Sequence, residues 1–166
     1  MSVVLVRVDW RLIHGQIIQA WVPETRADCL VLANDATAEN EIQRSIMEVS
    51  VPEELEVAIL PVEVAAQEFR NGRWDSRRVV LILADCADAL KIYNAGVKFR
   101  DLNLGNLHFS ENKKQVTGSV ALDSADLKNL NELSELGVNI EARSAPLDRS
   151  HSLSEIIKLN WNLPSK

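Results

Sequence analysis

The stretch VRVDWRLIHGQ (Val6–Gln16) changes character at Asp9. Before it stand β-branched residues suited to a buried strand. After it come Trp10, Arg11, His14 and Gly15, and Ile13, Ile17 and Trp21 then recur at helical spacing. The stretch reads as a strand that turns directly into a helix, and the same alternation recurs along the chain. VVLVRV from Val3, CLVLA from Cys29, LEVAIL from Leu55, RVVLILA from Arg78 and FRDLNLG from Phe99 read as strands. The first four largely lack polar alternation, as strands covered on both faces do. Between them, Ile42, Ile46 and Val49 mark a helix face, and Pro61 is placed to open a helix at its first position. Cys86 to Asn94 reads as a helix stopped by Ala95-Gly96.

The pattern changes after Gly105. The polar stretch SENKKQ precedes VTGSVAL (Val116 to Leu122), which reads as a short edge strand of opposite direction. Asp123-Ser124 caps a helix in which Leu127, Leu130, Leu133 and Leu136 share one side, and Gly137 ends it. VNIEAR follows as a final strand, with a last helix after Ser152. The expected fold is α/β, one domain with a mainly parallel central sheet of about six to seven strands, helices on both faces and an antiparallel edge strand.

The chain has 166 residues, 46% apolar and 25% charged, enough for one full hydrophobic core. A net charge of −6 argues against generic nucleic-acid binding. No apolar run approaches the roughly 20 residues of a bilayer span, and the N-terminus lacks the long apolar core of a signal peptide. Cys29 and Cys86 stand far apart in apolar surroundings without CxxC spacing, so inert core thiols in a reducing cytoplasm are expected.

In open α/β sheets ligands gather beyond the carboxyl ends of strands, which is where Asp9, Arg11, His14, Gly15 and Gln16 fall. The helix that follows offers unpaired N–H groups and positive potential, which suit an anion such as phosphate. Arg11 adds a permanent planar charge, and Gly15 leaves room beside the imidazole. A histidine in such a place suits phosphoryl acceptance. The plain alternative has His14 starting a helix, with Asp9 and Arg11 as a surface ion pair of little consequence. GxxxxGK[ST], GxGxxG and GxSxG are all absent.

Other positions carry two readings each. Asn34 and Asp35 either line the same crevice or cap a helix. Gly105 and Asn106 either offer donors to the site or form a tight turn. His108 is either a site contact or an ordinary loop histidine, and Trp74, in the charged NGRWDSRR, reads as a surface or docking residue. His151 reads as a surface residue, Arg77-Arg78 as a solvated edge, and Trp21 and Trp161 as core.

VRVDWRLIHGQII resembles the active-site segment of the IIB subunits of the mannose/sorbose class of the bacterial sugar phosphotransferase system. The family pattern R-[IV]-D-[DN]-R-[LF]-[IV]-H-G-Q-V is matched at Arg7, Val8, Asp9, Arg11, Leu12, Ile13, His14, Gly15 and Gln16. More loosely, LANDATAENEIQRSIMEVSVP resembles the family's second strand and helix, DLNLGNLHF its strand–glycine turn, and LKNLNELSELGVNIEARSAP its C-terminal helix–strand layout. The resemblance implies a single IIB domain over residues 1–166 and a phosphotransferase that uses no cofactor or metal, only a covalent phosphoryl group. It implies that a IIA protein donates to His14 at Nδ1 and that a sugar entering through the IIC and IID membrane components receives the group. A cytoplasmic place at the inner face of the membrane follows from the same likeness. Arg11 corresponds to the family arginine that supports transfer to sugar, Asp9 is expected to orient Arg11 or the imidazole, and the N–H groups around Gly15 to hold phosphate. Trp10 departs from the pattern, standing where the family has Asp or Asn; it is expected to reshape the docking surface or to pack back onto the domain. Two other functions fit the same residues: a regulatory phosphohistidine module without a permease, and a small-molecule-binding α/β domain in which His14 takes no phosphate.

Overall fold

The computed structural model describes residues 2–161; Met1 and 162–166, the two ends of the expected 1–166 domain, lie outside them. In chain order, β1 (Val3–Asp9) leads into a π-helical turn (Ile17–Trp21) and α1 (Val22–Thr25), then β2 (Cys29–Ala33), α2 (Asp35–Glu39) and α3 (Glu41–Ser50). Next come β3 (Glu56–Leu60), α4 (Val62–Arg70), β4 (Val79–Leu83), α5 (Cys86–Asn94) and β5 (Asp101–Asn106). The short β6 (Lys114–Gln115) and β7 (Ala121–Leu122) precede α6 (Ser124–Glu135), β8 (Asn139–Ala142), β9 (His151–Ser152) and α7 (Leu153–Trp161).

Seven strands form one sheet in the order β3-β2-β4-β1-β5-β8-β9. The pairs from β3 to β8 are all parallel, and β9 joins β8 antiparallel. The mainly parallel sheet and its antiparallel edge are thus as expected, but the edge is built from different residues. Val116 to Leu122 does not join the sheet as a strand. Its last two residues pair with Lys114–Gln115 in a separate two-stranded hairpin, while His151–Ser152 supplies the edge. A polar loop of this length folds back on itself more readily than it crosses the sheet.

The continuous apolar strands have a direct cause. Val31, Ala33, Leu81 and Leu83 enter one core with α4, α5, α6 and α7, while Leu30, Leu32, Val80 and Ile82 enter another with Ile17 and Met47. Strand side chains alternate between faces, so both faces must be apolar. Each such aliphatic side chain, fully buried, contributes about 1.5–3 kcal/mol. Helix ends follow the chemistry of their caps. Asp123 accepts from Asp126 N while Asp126 accepts from Asp123 N, closing a reciprocal box at the start of α6. Pro61 precedes α4 as its cap, one position before the first helical residue expected for it.

One apolar reading changes. Trp74 is not a surface residue: it is 1% exposed, packs on Phe69 at 4.6 Å and donates from Nε1 to Glu56. The face that Ile42, Ile46 and Val49 mark on α3 turns to water, and Met47 is the buried residue of that helix.

Candidate functional site

On β1, Val6 and Val8 point into the first core, so Arg7 and Asp9 share the opposite face. Both are fully buried. A buried guanidinium must be paired and hydrogen-bonded, and Arg7 is. Its Nε donates to Asp9 Oδ2 at 3.1 Å, and Nη1 to Asn103 Oδ1 at 2.7 Å and to the Arg143 carbonyl at 3.2 Å. Its Nη2 donates to Gln16 Oε1 at 3.1 Å. The Trp21 ring covers the guanidinium at 5.1 Å, and its Nε1 donates to the Ser144 carbonyl. The π-helical turn places this ring, one more case of a widened turn beside polar machinery.

Asp9 gathers donors from three elements. Oδ2 accepts from Arg7, from Asn106 Nδ2 at 2.9 Å and from His14 Nε2 at 2.9 Å, while Oδ1 accepts from the Arg11 amide at 3.0 Å. Burial pushes the Asp9 carboxyl upward, but the hydrogen bonds from His14 and Asn106 and the charge of Arg7 outweigh it and hold the group below the usual carboxylate range. For Arg7, burial is the larger influence and lowers its proton affinity, with Asp9 acting against it.

An ionised Asp9 accepts only, so the His14 nitrogen facing it carries the proton. In the neutral ring that is the Nε2–H tautomer, with the lone pair on Nδ1. That nitrogen is buried and has no hydrogen-bond partner among the described residues. Leu12 makes this arrangement. Its φ of 63°, unusual for a bulky residue, doubles the chain back so that Leu12 N meets the Asp9 carbonyl. Such strain costs about 1–2 kcal/mol, offset by burying Leu12 and Ile13 in the second core. The helix begins after His14, whose carbonyl accepts from Ile17 and Ile18, so the amides of Gly15 and Gln16 precede the first intrahelical bond.

The structure therefore brings together Asp9, His14, Gln16 and Asn106 by direct hydrogen bonds, with Gln16 also reaching Ser144. Arg11 contributes its amide to the cluster while its side chain stands in solvent. Among the described residues other than its chain neighbours, no atom lies within 4 Å of where a Gly15 Cβ would stand, so internal packing does not demand glycine there. Gly105 is different: a Cβ there would lie 2.0 Å from Arg7 Cζ. Gly105→Ala is expected to displace Arg7 and destabilise the fold by about 2–3 kcal/mol, measured as a lowered midpoint in chemical denaturation. His108 meets Trp10 at 4.7 Å between ring centroids, so Trp10 packs back onto the domain while staying 47% exposed. Asn34 and Asp35 bond elsewhere. Asn34 caps α2 through Thr37 N and donates to Asp88; Asp35 accepts from Val62 N and Lys91.

Sequence reading missed Arg7, Asn103 and Ser144. A charged residue inside an apolar strand, two before Asp9, was the available signal, since period two puts both on one face. Burial raises the Cys29 thiol to about 12 and Cys86 well above its ordinary value, so neither supplies a thiolate near neutral pH. Among the described residues no group of three His, Cys, Asp or Glu side chains is placed to hold a metal, and no helix is long and apolar enough to cross a membrane.

The class this defines is an open α/β sheet with a histidine hydrogen-bonded to a buried carboxylate at its carboxyl edge. Comparison with known proteins makes the class specific. A family model, PTS system sorbose subfamily IIB component, matches residues 3–165. The chain belongs to this family: it is a phosphotransferase component of the sugar phosphotransferase system, with a phosphocarrier role in sugar transport. The fructose-specific EIIB component of Bacillus subtilis is 29% identical over 95% of this chain and 97% of its own length. The crystal structure of the IIBSor domain of the sorbose permease from Klebsiella pneumoniae superposes with a TM-score of 0.90 at 29% identity, covering 96% of this chain and 98% of that one. The mannose-specific EIIAB component of Escherichia coli is 26% identical over 95% of this chain and 49% of its own length.

Proposed function

We propose that His14 Nδ1 accepts a phosphoryl group from a IIA protein in the cytoplasm and passes it to a sugar held by IIC and IID membrane components. The observation that carries this reading is the anchored ring: Nε2 bonded to buried Asp9, Nδ1 unpartnered. The two raised cysteine thiols support histidine over cysteine as acceptor. A relative named EIIAB, of which this chain matches about half, supports a IIA partner.

In the first transfer the Nδ1 lone pair attacks phosphorus in line, and the donor's bond to phosphorus breaks with its electron pair returning to the donor. His14 keeps its Nε2 proton and becomes cationic, and the Asp9 carboxylate stabilises that charge. In the second, a sugar hydroxyl attacks phosphorus, the P–Nδ1 bond breaks, and its pair returns to the ring; the hydroxyl proton leaves to a base outside this chain. The Gly15 and Gln16 amides at the helix start and the solvent-exposed Arg11 guanidinium would hold the phosphoryl oxygens. Nδ1 is covered in the resting fold, so the atoms over it move aside when the donor docks.

The test supplies phosphorylated IIA and follows label into this chain. A single acid-labile, alkali-stable group is expected; no label on the wild type would overturn the proposal. Arg11→Gln is expected to keep the label while sugar phosphorylation in vesicles falls about 100-fold or more, because the lost charge acts on the transferring oxygens.

A further inference from the structure

Helix α3 presents Ile42, Ile46 and Val49 at 75%, 65% and 87% exposure. Their spacing of four and three puts them on a single stripe. Isolated apolar side chains on a surface are ordinary, but a contiguous row on a ten-residue helix marks a contact surface. The exposed carboxylates of Glu41, Glu48, Glu53 and Glu54 stand on and just beyond this helix. Its basic residue, Arg44, is already engaged by Glu48 at 4.0 Å and by the Ala38 carbonyl.

An acidic rim disfavours a second copy of the same chain, which would set like charges against each other. It suits an apolar surface with a basic border. Cytoplasmic loops of membrane proteins carry an excess of Lys and Arg. The position also fits. Met47 of α3 and Ile17, in the helical segment after His14, share the second core, so both helices cover one sheet face. The α2–α3 segment leaves β2 at the carboxyl edge of the sheet, the same edge at which His14 follows β1.

We propose that the Ile42–Ile46–Val49 stripe docks the membrane component that holds the accepting sugar, through apolar contact bordered by its Lys and Arg residues. This rests on the phosphocarrier reading above.

The test uses the whole chain, inverted vesicles carrying the sorbose-subfamily membrane components, and the variants Ile42→Asp/Ile46→Asp and Glu41→Lys/Glu48→Lys. All substituted positions are exposed, so folding is retained. Co-sedimentation of unphosphorylated protein with the vesicles is expected to weaken about tenfold or more in each double variant, and the concentration needed for half-maximal sugar phosphorylation to rise in step. Labelling by phosphorylated IIA is expected to stay unchanged. An equal loss of IIA labelling would assign the stripe to the donor instead, and a wild-type dimer dissociated by the apolar variant would assign it to self-association. Unchanged co-sedimentation would make it a solvated surface; each of these three results overturns the proposal. Vesicle binding needs no phosphate, so it reports docking even if His14 proves not to be the acceptor.

Discussion

His14→Ala is expected to leave a folded chain that takes no phosphoryl group at all. The substitution removes the unpartnered Nδ1 and one of the four donors on Asp9, while Arg7, Asn106 and the Arg11 amide remain to satisfy the carboxylate. The stability cost is therefore that of one charge-assisted hydrogen bond, about 1.5–3 kcal/mol. Loss of label with a cooperative unfolding transition retained is the expected pair of results, read by phosphoryl transfer from IIA and by thermal denaturation. Residual label on the variant would place the acceptor elsewhere, and the raised thiols of Cys29 and Cys86 argue that no cysteine would take over.

Asp9→Asn is expected to harm both stability and transfer. An asparagine side chain has the same shape but carries an NH2 group, which would face the donors of Arg7, Asn106 or His14. Arg7 is fully buried, and an unpaired buried charge costs about 3–5 kcal/mol. If the NH2 turns toward His14 instead, it donates to Nε2 and drives the ring proton onto Nδ1, removing the nucleophilic lone pair. Reversing the tautomer in a carboxylate–histidine pair costs about 10⁴-fold in rate. Single-turnover labelling and denaturant unfolding, measured on one preparation, separate the two effects. The same carboxylate sets an acid limit. Its proton affinity is depressed in the fold, so its stabilisation is fully present above the ordinary aspartate range near pH ~3.9 and is lost as pH falls through the lower folded value. The Asp9→Asn variant is expected to lack that portion of the acid dependence.

The strand–helix order and the place of His14 were legible because both are local. Asp9 ends β1, and its apolar neighbours alternate between two cores. Arg7 was not legible as a site residue, although it stands in the quoted stretch. Two of its partners, Asn103 and the Arg143 carbonyl, lie 96 and 136 residues away, and no spacing rule connects positions so distant. The left-handed turn at Leu12 left no trace either, since leucine carries no preference for it. Helical periodicity located α3 but left open which way its apolar stripe faces. A partner-facing row and a core-facing row share one period, and only the packed sheet tells them apart. Trp74 misled in the opposite direction, its charged neighbours hiding a ring packed on Phe69. Trp10, in turn, packs on His108 and leaves His14 and Asn106 both bonded to Asp9.

The central claim is that Asp9 holds His14 as a single tautomer whose Nδ1 is the acceptor. Nitrogen-15 NMR of histidine-labelled protein, recorded before and after phosphorylation by IIA, tests it directly. Before transfer, Nε2 of His14 should carry the proton and Nδ1 should be unprotonated; afterwards the phosphorus coupling should appear on Nδ1. Phosphorus bonded to Nε2, or no change in the His14 ring on phosphorylation, would contradict the account.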